Sequence, residues 1–254
     1  MIDLSGTTAL VTGSSRGIGA AIARQLAQLG ARVAVHYSSN REAAEATLAS
    51  LEGGPHALVT ADISDPEAVE AMVAAAITEL GGLDILVNNA AVHAEHKISA
   101  VTYDEWQDSW RRIIDANLIG TANVTYCVVQ QMLRQGRGGR IVTITSRGAF
   151  RGEPDHPAYG ASKAGLNSMS GSLAKHLAPH GITVTAVAPG YVETEMVAPM
   201  LAGAEGEAIR SQYPTGQVAT PEEVARVVAF LAADGAASMA GEIVDVNGAS
   251  YLRS

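Results

Sequence analysis

The stretch PAYGASKAG, residues 157–165, places Tyr159 and Lys163 four apart with no acid between them. If this segment opens a helix, residues i and i+4 share a face about 6 Å apart along the axis, so phenol and ammonium point the same way. A free tyrosine, with a pKa of about 10, is a poor base at neutral pH. An ammonium about 6 Å away, at an effective dielectric of about 20, favours the phenolate by roughly 2–3 kcal/mol and brings its pKa toward a usable range. Ser146, closing the β-rich run RIVTITS, adds a hydroxyl that can donate to a carbonyl oxygen. Each residue alone fits an ordinary surface position. Together they describe a proton-transfer site for a carbonyl or an alcohol.

Such a site needs a scaffold. The runs TALVT, ARVAVHY, HALVTA, DILVNNA, RIVTITS, ITVTAVAP and GEIVDVN alternate with segments of helical apolar spacing, which predicts a parallel sheet. Between the first two, Ile18, Ile22, Leu26 and Leu29 recur at three- and four-residue spacing and Gly30 follows as a stop, giving one βαβ unit. The strands are apolar on both sides, as when helices cover both faces of a sheet. No Ser/Gly/Pro linker divides the chain, so residues 1–254 are expected to form one doubly wound α/β domain. Ligands of open α/β sheets lie beyond the carboxyl ends of strands, where Ser146 falls.

After the first strand comes TGSSRGIG, with Gly13, Gly17 and Gly19 where the chain must turn sharply and admit phosphate to the next helix's amides. This predicts a dinucleotide site. An NAD site usually carries an acid roughly 20 residues beyond the turn. Here that place reads HYSSNR, without a carboxylate from His36 to Arg41. Ser38, Ser39 and Asn40 can donate to a 2′-phosphate, Arg41 can add charge, and Arg16 can approach from the glycine loop. NADP(H) is therefore expected, with NAD the disfavoured alternative.

The glycine spacing, the DI pair at 62–63, NNAA at 88–91, Asn117 in DANLIG, Ser146, the Tyr159–Lys163 pair and PGYVET at 189–194 occur in an order that resembles the short-chain dehydrogenase/reductase family over nearly the whole chain. The resemblance is strongest to its 3-oxoacyl-[acyl-carrier-protein] reductase-like members. It implies a Rossmann-type, seven-stranded, mainly parallel sheet and a nicotinamide cofactor. Asp62 and Ile63 would lie beside the adenine and Asn89 and Ala90 beside the adenosine ribose. Ser15, Ile18, Tyr37, Pro189, Gly190, Val192 and Thr194 would complete the cofactor contacts. It also implies that Tyr159 is the proton donor, that Lys163 binds the nicotinamide ribose, that Ser146 orients the substrate oxygen and that Asn117 holds a relaying water. Members usually assemble as homotetramers through the helices after strands four and five. Two departures are Ala91, where Gly is usual, and Thr145, where Ser is usual. A longer epimerase or dehydratase branch of the family differs in glycine spacing and carries an extra C-terminal substrate region. A non-catalytic NADP(H)-binding sensor or scaffold is the rival reading.

Composition narrows the partners. Residues are 47% hydrophobic and 17% charged, enough to bury a substantial core. No apolar run reaches membrane-spanning length, and the first residues lack a secretion signal, so a cytoplasmic protein is expected. The net charge of −9 opposes nucleic acid and anionic membranes, and no basic cluster exceeds RQGRGGR at 134–140. Cys127, in an apolar run, reads as a packed residue. His93, Glu95, His96 and His156 lack metal-ligand spacing and are expected near a small-molecule carbonyl or alcohol substrate. Trp106 and Trp110 read as helix packing. The segment 193–215, with Met196, Met200, Leu201 and Tyr213, is expected to cover an apolar or mixed substrate. Arg137 and Arg140 offer part of a landing patch for an acidic carrier protein, but His180 stands where such reductases tend to carry an arginine. Small or coenzyme A-linked substrates are thus expected to serve at least as well.

Overall fold

The computed structural model describes residues 2–195 and 197–253. In chain order the elements are β1 (Thr8–Val11), α1 (Gly17–Gln28), β2 (Arg32–Tyr37), α2 (Arg41–Ala49), β3 (Ala57–Thr60), α3 (Pro66–Leu80) and β4 (Ile85–Asn88). Then come α4 (Tyr103–Ile114), a π-helical segment (Asp115–Gly120), α5 (Thr121–Gln135), β5 (Gly139–Ile144), the short α6 (Gly148–Arg151) and α7 (Pro157–Leu177). β6 (Ile182–Pro189), α8 (Gly203–Arg210), α9 (Pro221–Ala232) and β7 (Ile243–Val246) complete the chain. The seven strands run β3-β2-β1-β4-β5-β6-β7, every adjacent pair parallel, so the expected mainly parallel sheet is parallel throughout. The chain order reverses between β1 and β4, which opens a crevice at the strands' carboxyl ends.

Alternation along each strand divides the core in two. Ala9 and Val11 on β1, Val33 on β2 and Val87 on β4 pack on one face with Ile22 and Leu26 of α1 and Val224 and Val228 of α9. Leu10, Ala34, Leu86 and Ile141 pack on the other face with Met72 and Val73 of α3 and Val124, Val128 and Met132 of α5. The helices start where local chemistry allows. Asn40, Asp65, Thr102 and Thr220 cap α2, α3, α4 and α9, the last two with reciprocal capping boxes to Glu105 and Glu223. α1 has no side-chain cap and no acid in its first turn, so its leading amides remain available beside the crevice. No helix among the described residues is long and apolar enough to cross a membrane.

Candidate active site

A cleft of about 650 Å³ runs across the carboxyl ends of the strands. One end is lined by Gly13, Ser15, Arg16, Gly17, Ile18 and Gly19 from the β1–α1 turn and by Tyr37, Ser38, Ser39 and Asn40 after β2. Asp62, Ile63, Asn89 and Ala90 lie along its middle, with Pro189, Gly190, Val192 and Thr194 opposite. Ser146, Tyr159 and Lys163 line the other end. Arg41 is absent from the lining: it pairs with Glu45 at 2.7 Å on the exposed face of α2.

The glycine loop is held from both sides. Asn89 donates through Nδ2 to the carbonyls of Thr12 and Gly13, each at 3.0 Å. A Cβ on Gly19 would stand 2.4 Å from the Gly13 carbonyl oxygen and 2.5 Å from Asn89 Nδ2, so only glycine lets the helix close on the loop. This backbone cradle, with the uncapped N-terminus of α1, fits a dinucleotide pyrophosphate. Asp62 accepts from the backbone and hydroxyl of Ser64 at 2.9 and 2.7 Å, bonds that hold its carboxyl below the ordinary value.

At the other end, Tyr159 and Lys163 share a face of α7, with Lys163 Nζ 5.6 Å from the tyrosine ring centroid. Lys163 is 3% exposed and donates to the Ile144 carbonyl at 2.9 Å, tethering α7 to β5 just before Ser146. The Ser146 hydroxyl oxygen accepts from Gly148 N at 3.0 Å. Burial pushes the Tyr159 phenol up to about 12, against a lowering contribution from Ser146, and brings Lys163 down to about 8. The expected pull of the ammonium on the phenol is thus outweighed. Both groups lose solvent together, so the neutral form of each is favoured.

Asn117 does not line the cleft. Its Oδ1 accepts from Val92 N at 2.7 Å, and its Nδ2 donates to Val92 O and to Ser162 Oγ at 2.9 and 3.2 Å. Ser162 in turn donates to the Tyr159 carbonyl at 2.8 Å. The π-helical turn at Asp115–Gly120 aims this amide inward. The side chain clamps the strand-to-α7 junction, with both its N–H groups used there.

The histidines separate by role. His93 and His156 stack at 4.0 Å beside the cleft, with His93 edge-on to Tyr159 at 4.7 Å. Loss of solvent holds both below the usual imidazole value. His96 is fully buried, and its Nε2 accepts from Ala158 N at 3.1 Å. It therefore caps α7, whose own N-cap residue offers no side-chain bond. Trp106 packs on His96 and on Trp110, at 5.7 and 5.6 Å. Among the described residues no group of three His, Cys, Asp or Glu could hold a metal ion. Cys127 is partly buried on α5, and burial raises its thiol pKa, away from reactivity.

The covering segment turns part of itself inward. Leu201, Ile209 and Tyr213 form a small core of their own, whereas Val197 and Met200 line the cleft; Met196 lies outside the described residues. Arg147, unforeseen from sequence, is 3% exposed and donates to Ser250 Oγ at 2.5 Å and Gln212 Oε1 at 2.9 Å. Its guanidinium lies 5.1 and 5.5 Å from the rings of Tyr191 and Tyr213, so it ties the cover and the C-terminal segment to β5. The only prior signal was a charge directly after a strand.

A parallel doubly wound sheet with a glycine cradle at one end of its crevice and a Ser, Tyr and Lys cluster at the other defines a dinucleotide-dependent oxidoreductase architecture. The chain belongs to the short-chain dehydrogenase/reductase family, and its reaction class is oxidoreduction between carbonyl and alcohol. The family model described as enoyl-(acyl carrier protein) reductase matches residues 13–249. The 3-oxoacyl-[acyl-carrier-protein] reductase FabG of Escherichia coli K12 is 38% identical over 251 residues, covering 99% of this chain and 100% of that protein. An uncharacterised oxidoreductase of Methylorubrum extorquens is 40% identical over 252 residues, covering 98% and 99%. A dehydrogenase/reductase crystal structure from Sinorhizobium meliloti 1021 superposes with a TM-score of 0.90 at 35% identity, covering 98% of this chain and 97% of that one.

Proposed function

We propose that the protein is an NADP(H)-dependent reductase of small or coenzyme A-linked carbonyl compounds, working reversibly on the matching secondary alcohols. The observation that carries this reading is the convergence of Ser146, Tyr159 and Lys163 on one end of a cleft whose other end is the glycine cradle. Bound along the cleft, the nicotinamide dinucleotide supplies or accepts the hydride. The cradle and Arg16, Ser38 and Ser39 hold its phosphates, while Asn89 keeps the loop in shape. Ser146 donates to the substrate oxygen and fixes its position, and Tyr159 passes its phenolic proton to that oxygen. Lys163, anchored on the Ile144 carbonyl, sets a positive potential beneath the phenol. Asn117, through Ser162, fixes the backbone at Tyr159.

A carrier-bound acyl group is not the preferred substrate in this reading. Arg137 and Arg140 are paired, with Asp84 at 2.7 Å and Asp234 at 3.1 Å, and stand before and at the amino end of β5, away from the cleft at the strands' carboxyl ends, so they make a poor landing patch for an acidic carrier. The test is cofactor oxidation by purified protein against ketones, β-ketoacyl thioesters, quinones and sugars. Turnover with none of them despite tight cofactor binding returns the protein to the sensor or scaffold class. A strong preference for the carrier-bound thioester in competition kinetics overturns the substrate assignment.

The protonation states set a direction-dependent pH profile. Reduction uses the protonated phenol, present across neutral pH when its pKa is about 12, together with a charged Lys163, whose pKa of about 8 leaves it protonated below that pH. At saturating cofactor, the kcat/KM for the carbonyl substrate is expected to be level just below pH 8 and to fall above it. Oxidation needs the phenolate and is expected to rise with pH. Profiles of the same slope in both directions would contradict this assignment.

The reading extends to one domain over residues 1–254, a homotetramer and a cytoplasmic location. Ile119, Tyr126 and Leu133 are exposed at seven-residue spacing from the π-helical turn along α5, an apolar stripe that supports a contact between subunits.

A further inference from the structure

His36, next to last in β2, is 2% exposed. Its Nδ1 is 2.9 Å from Gly13 N and its Nε2 is 3.1 Å from the Ala61 carbonyl. A backbone N–H can only donate and a carbonyl can only accept, so the ring must be neutral, with the proton on Nε2. The backbone of the same residue exchanges two further bonds with Ser14: His36 N donates to Ser14 Oγ and Ser14 N to His36 O, each at 2.9 Å. Gly13 stands at φ +62°, so its amide direction is a feature of the turn itself. With Asn89 on its carbonyl, the Gly13 residue is held on both sides by side chains.

We infer that neutral His36 is a positioning residue that sets the glycine loop in its phosphate-binding shape, and that its protonation weakens dinucleotide binding. This rests on the cofactor reading above and adds to it. An imidazolium would turn Nδ1–H against Gly13 N–H, donor against donor, and the loop must then give way. The only acid with a marked pull on the ring is Asp62, in the connection after β3, and it favours the cation. β1 and β3 contain no titratable side chain, β2 adds Tyr37 beside the ring and Arg32 at its far end, and the loop presents Gly13 and Ser14 with Arg16 exposed. Burial outweighs Asp62 and holds His36 below the ordinary imidazole value. The sign follows by linkage: binding takes up the neutral form, so affinity is full above the His36 pKa and is lost by up to about tenfold per pH unit below it, with a proton released on binding.

The test is calorimetric titration of the purified protein with NADP⁺ and separately with NAD⁺, from pH 8 to pH 4.5. NAD⁺ lacks the 2′-phosphate, whose own ionisation falls in this range. His36→Asn keeps an acceptor near the Nδ1 position and cannot titrate. The wild-type affinity for NAD⁺ is expected to fall about three- to tenfold across the range, with protons released at the acid end. His36→Asn, which loses the bond to Ala61, should bind more weakly than the wild type at pH 8 but change less than about twofold across the range. The same slope in His36→Asn, or wild-type binding at acid pH without proton release, overturns the inference and leaves the cofactor reading standing. Failure of the wild type to bind either dinucleotide at any pH overturns both. The proton-release measurement needs no variant and decides the matter if His36→Asn does not fold.

Discussion

Tyr159→Phe is expected to lower kcat for carbonyl reduction by about 10²- to 10⁴-fold, the usual worth of a positioned acid, while leaving the cofactor dissociation constant nearly unchanged. The ring keeps its edge contact with His93 and its place above Lys163, so the phenylalanine can pack as the tyrosine does. Only the transferable proton is removed. Lys163→Ala should behave differently, harming turnover and cofactor binding together: it takes away the charge under the phenol and strips the Ile144 carbonyl of its donor inside the protein. Steady-state kinetics with a reducible ketone, beside a direct binding titration of the cofactor, separates the two variants. Near wild-type turnover in Tyr159→Phe would show that another group delivers the proton, and the exposed imidazole of His93 would be the first to examine.

The placement of that tyrosine was legible in the sequence for a simple reason. A four-residue interval on a helix fixes a shared face, and the helix assumed there is α7, which Pro157 opens. The strands were legible on similar terms, because a sheet covered on both faces forces continuous apolar runs; β6, from Ile182 to Pro189, coincides with the run ITVTAVAP. The Tyr159 pKa could not be read in this way. Spacing reports the ammonium but not the loss of solvent, and solvent loss is the larger contribution. His96, expected near the substrate, is buried instead, and its role, like that of His36, was not legible for a related reason: each acts on a backbone amide distant in sequence, Ala158 and Gly13, and nothing local in the chain announces such a partner. The covering segment shows the limit of composition. Leu201 and Tyr213 belong to an apolar stretch that suits a substrate wall, but that stretch needs a core of its own, and these two side chains supply it. The ion pair of Arg41 with Glu45, one turn along α2, was not read from the sequence, although the i,i+4 interval is local.

Arg16→Ala is expected to raise the KM for NADPH by about 10- to 100-fold, matching the roughly 1.5–3 kcal/mol of a charge-assisted hydrogen bond to phosphate. The KM for NADH should move little. Arg16 is exposed at the edge of the cleft, where it stands at the N-cap of α1, and Ser38, Ser39 and Asn40 line the same end from the β2 side. Asn40 Oδ1 accepts from Ala43 N as the cap of α2, which fixes the amide and leaves its Nδ2 to donate alongside the serines. With Arg41 paired to Glu45, Arg16 is the guanidinium that the glycine loop itself brings to the cleft, which concentrates the expected effect on that position. The converse substitution follows from the same electrostatics. An acid at Tyr37 or Ser38 would repel a 2′-phosphate and accept from the free ribose hydroxyls, so Ser38→Asp should push the preference toward NADH. The measurement is kcat/KM for both cofactors with one carbonyl substrate at saturating concentration. Equal values in the wild-type protein would sink the NADP(H) assignment at once. A wild-type preference for NADPH that survives in Arg16→Ala would leave the assignment intact and move the phosphate contact to Ser38 and Ser39.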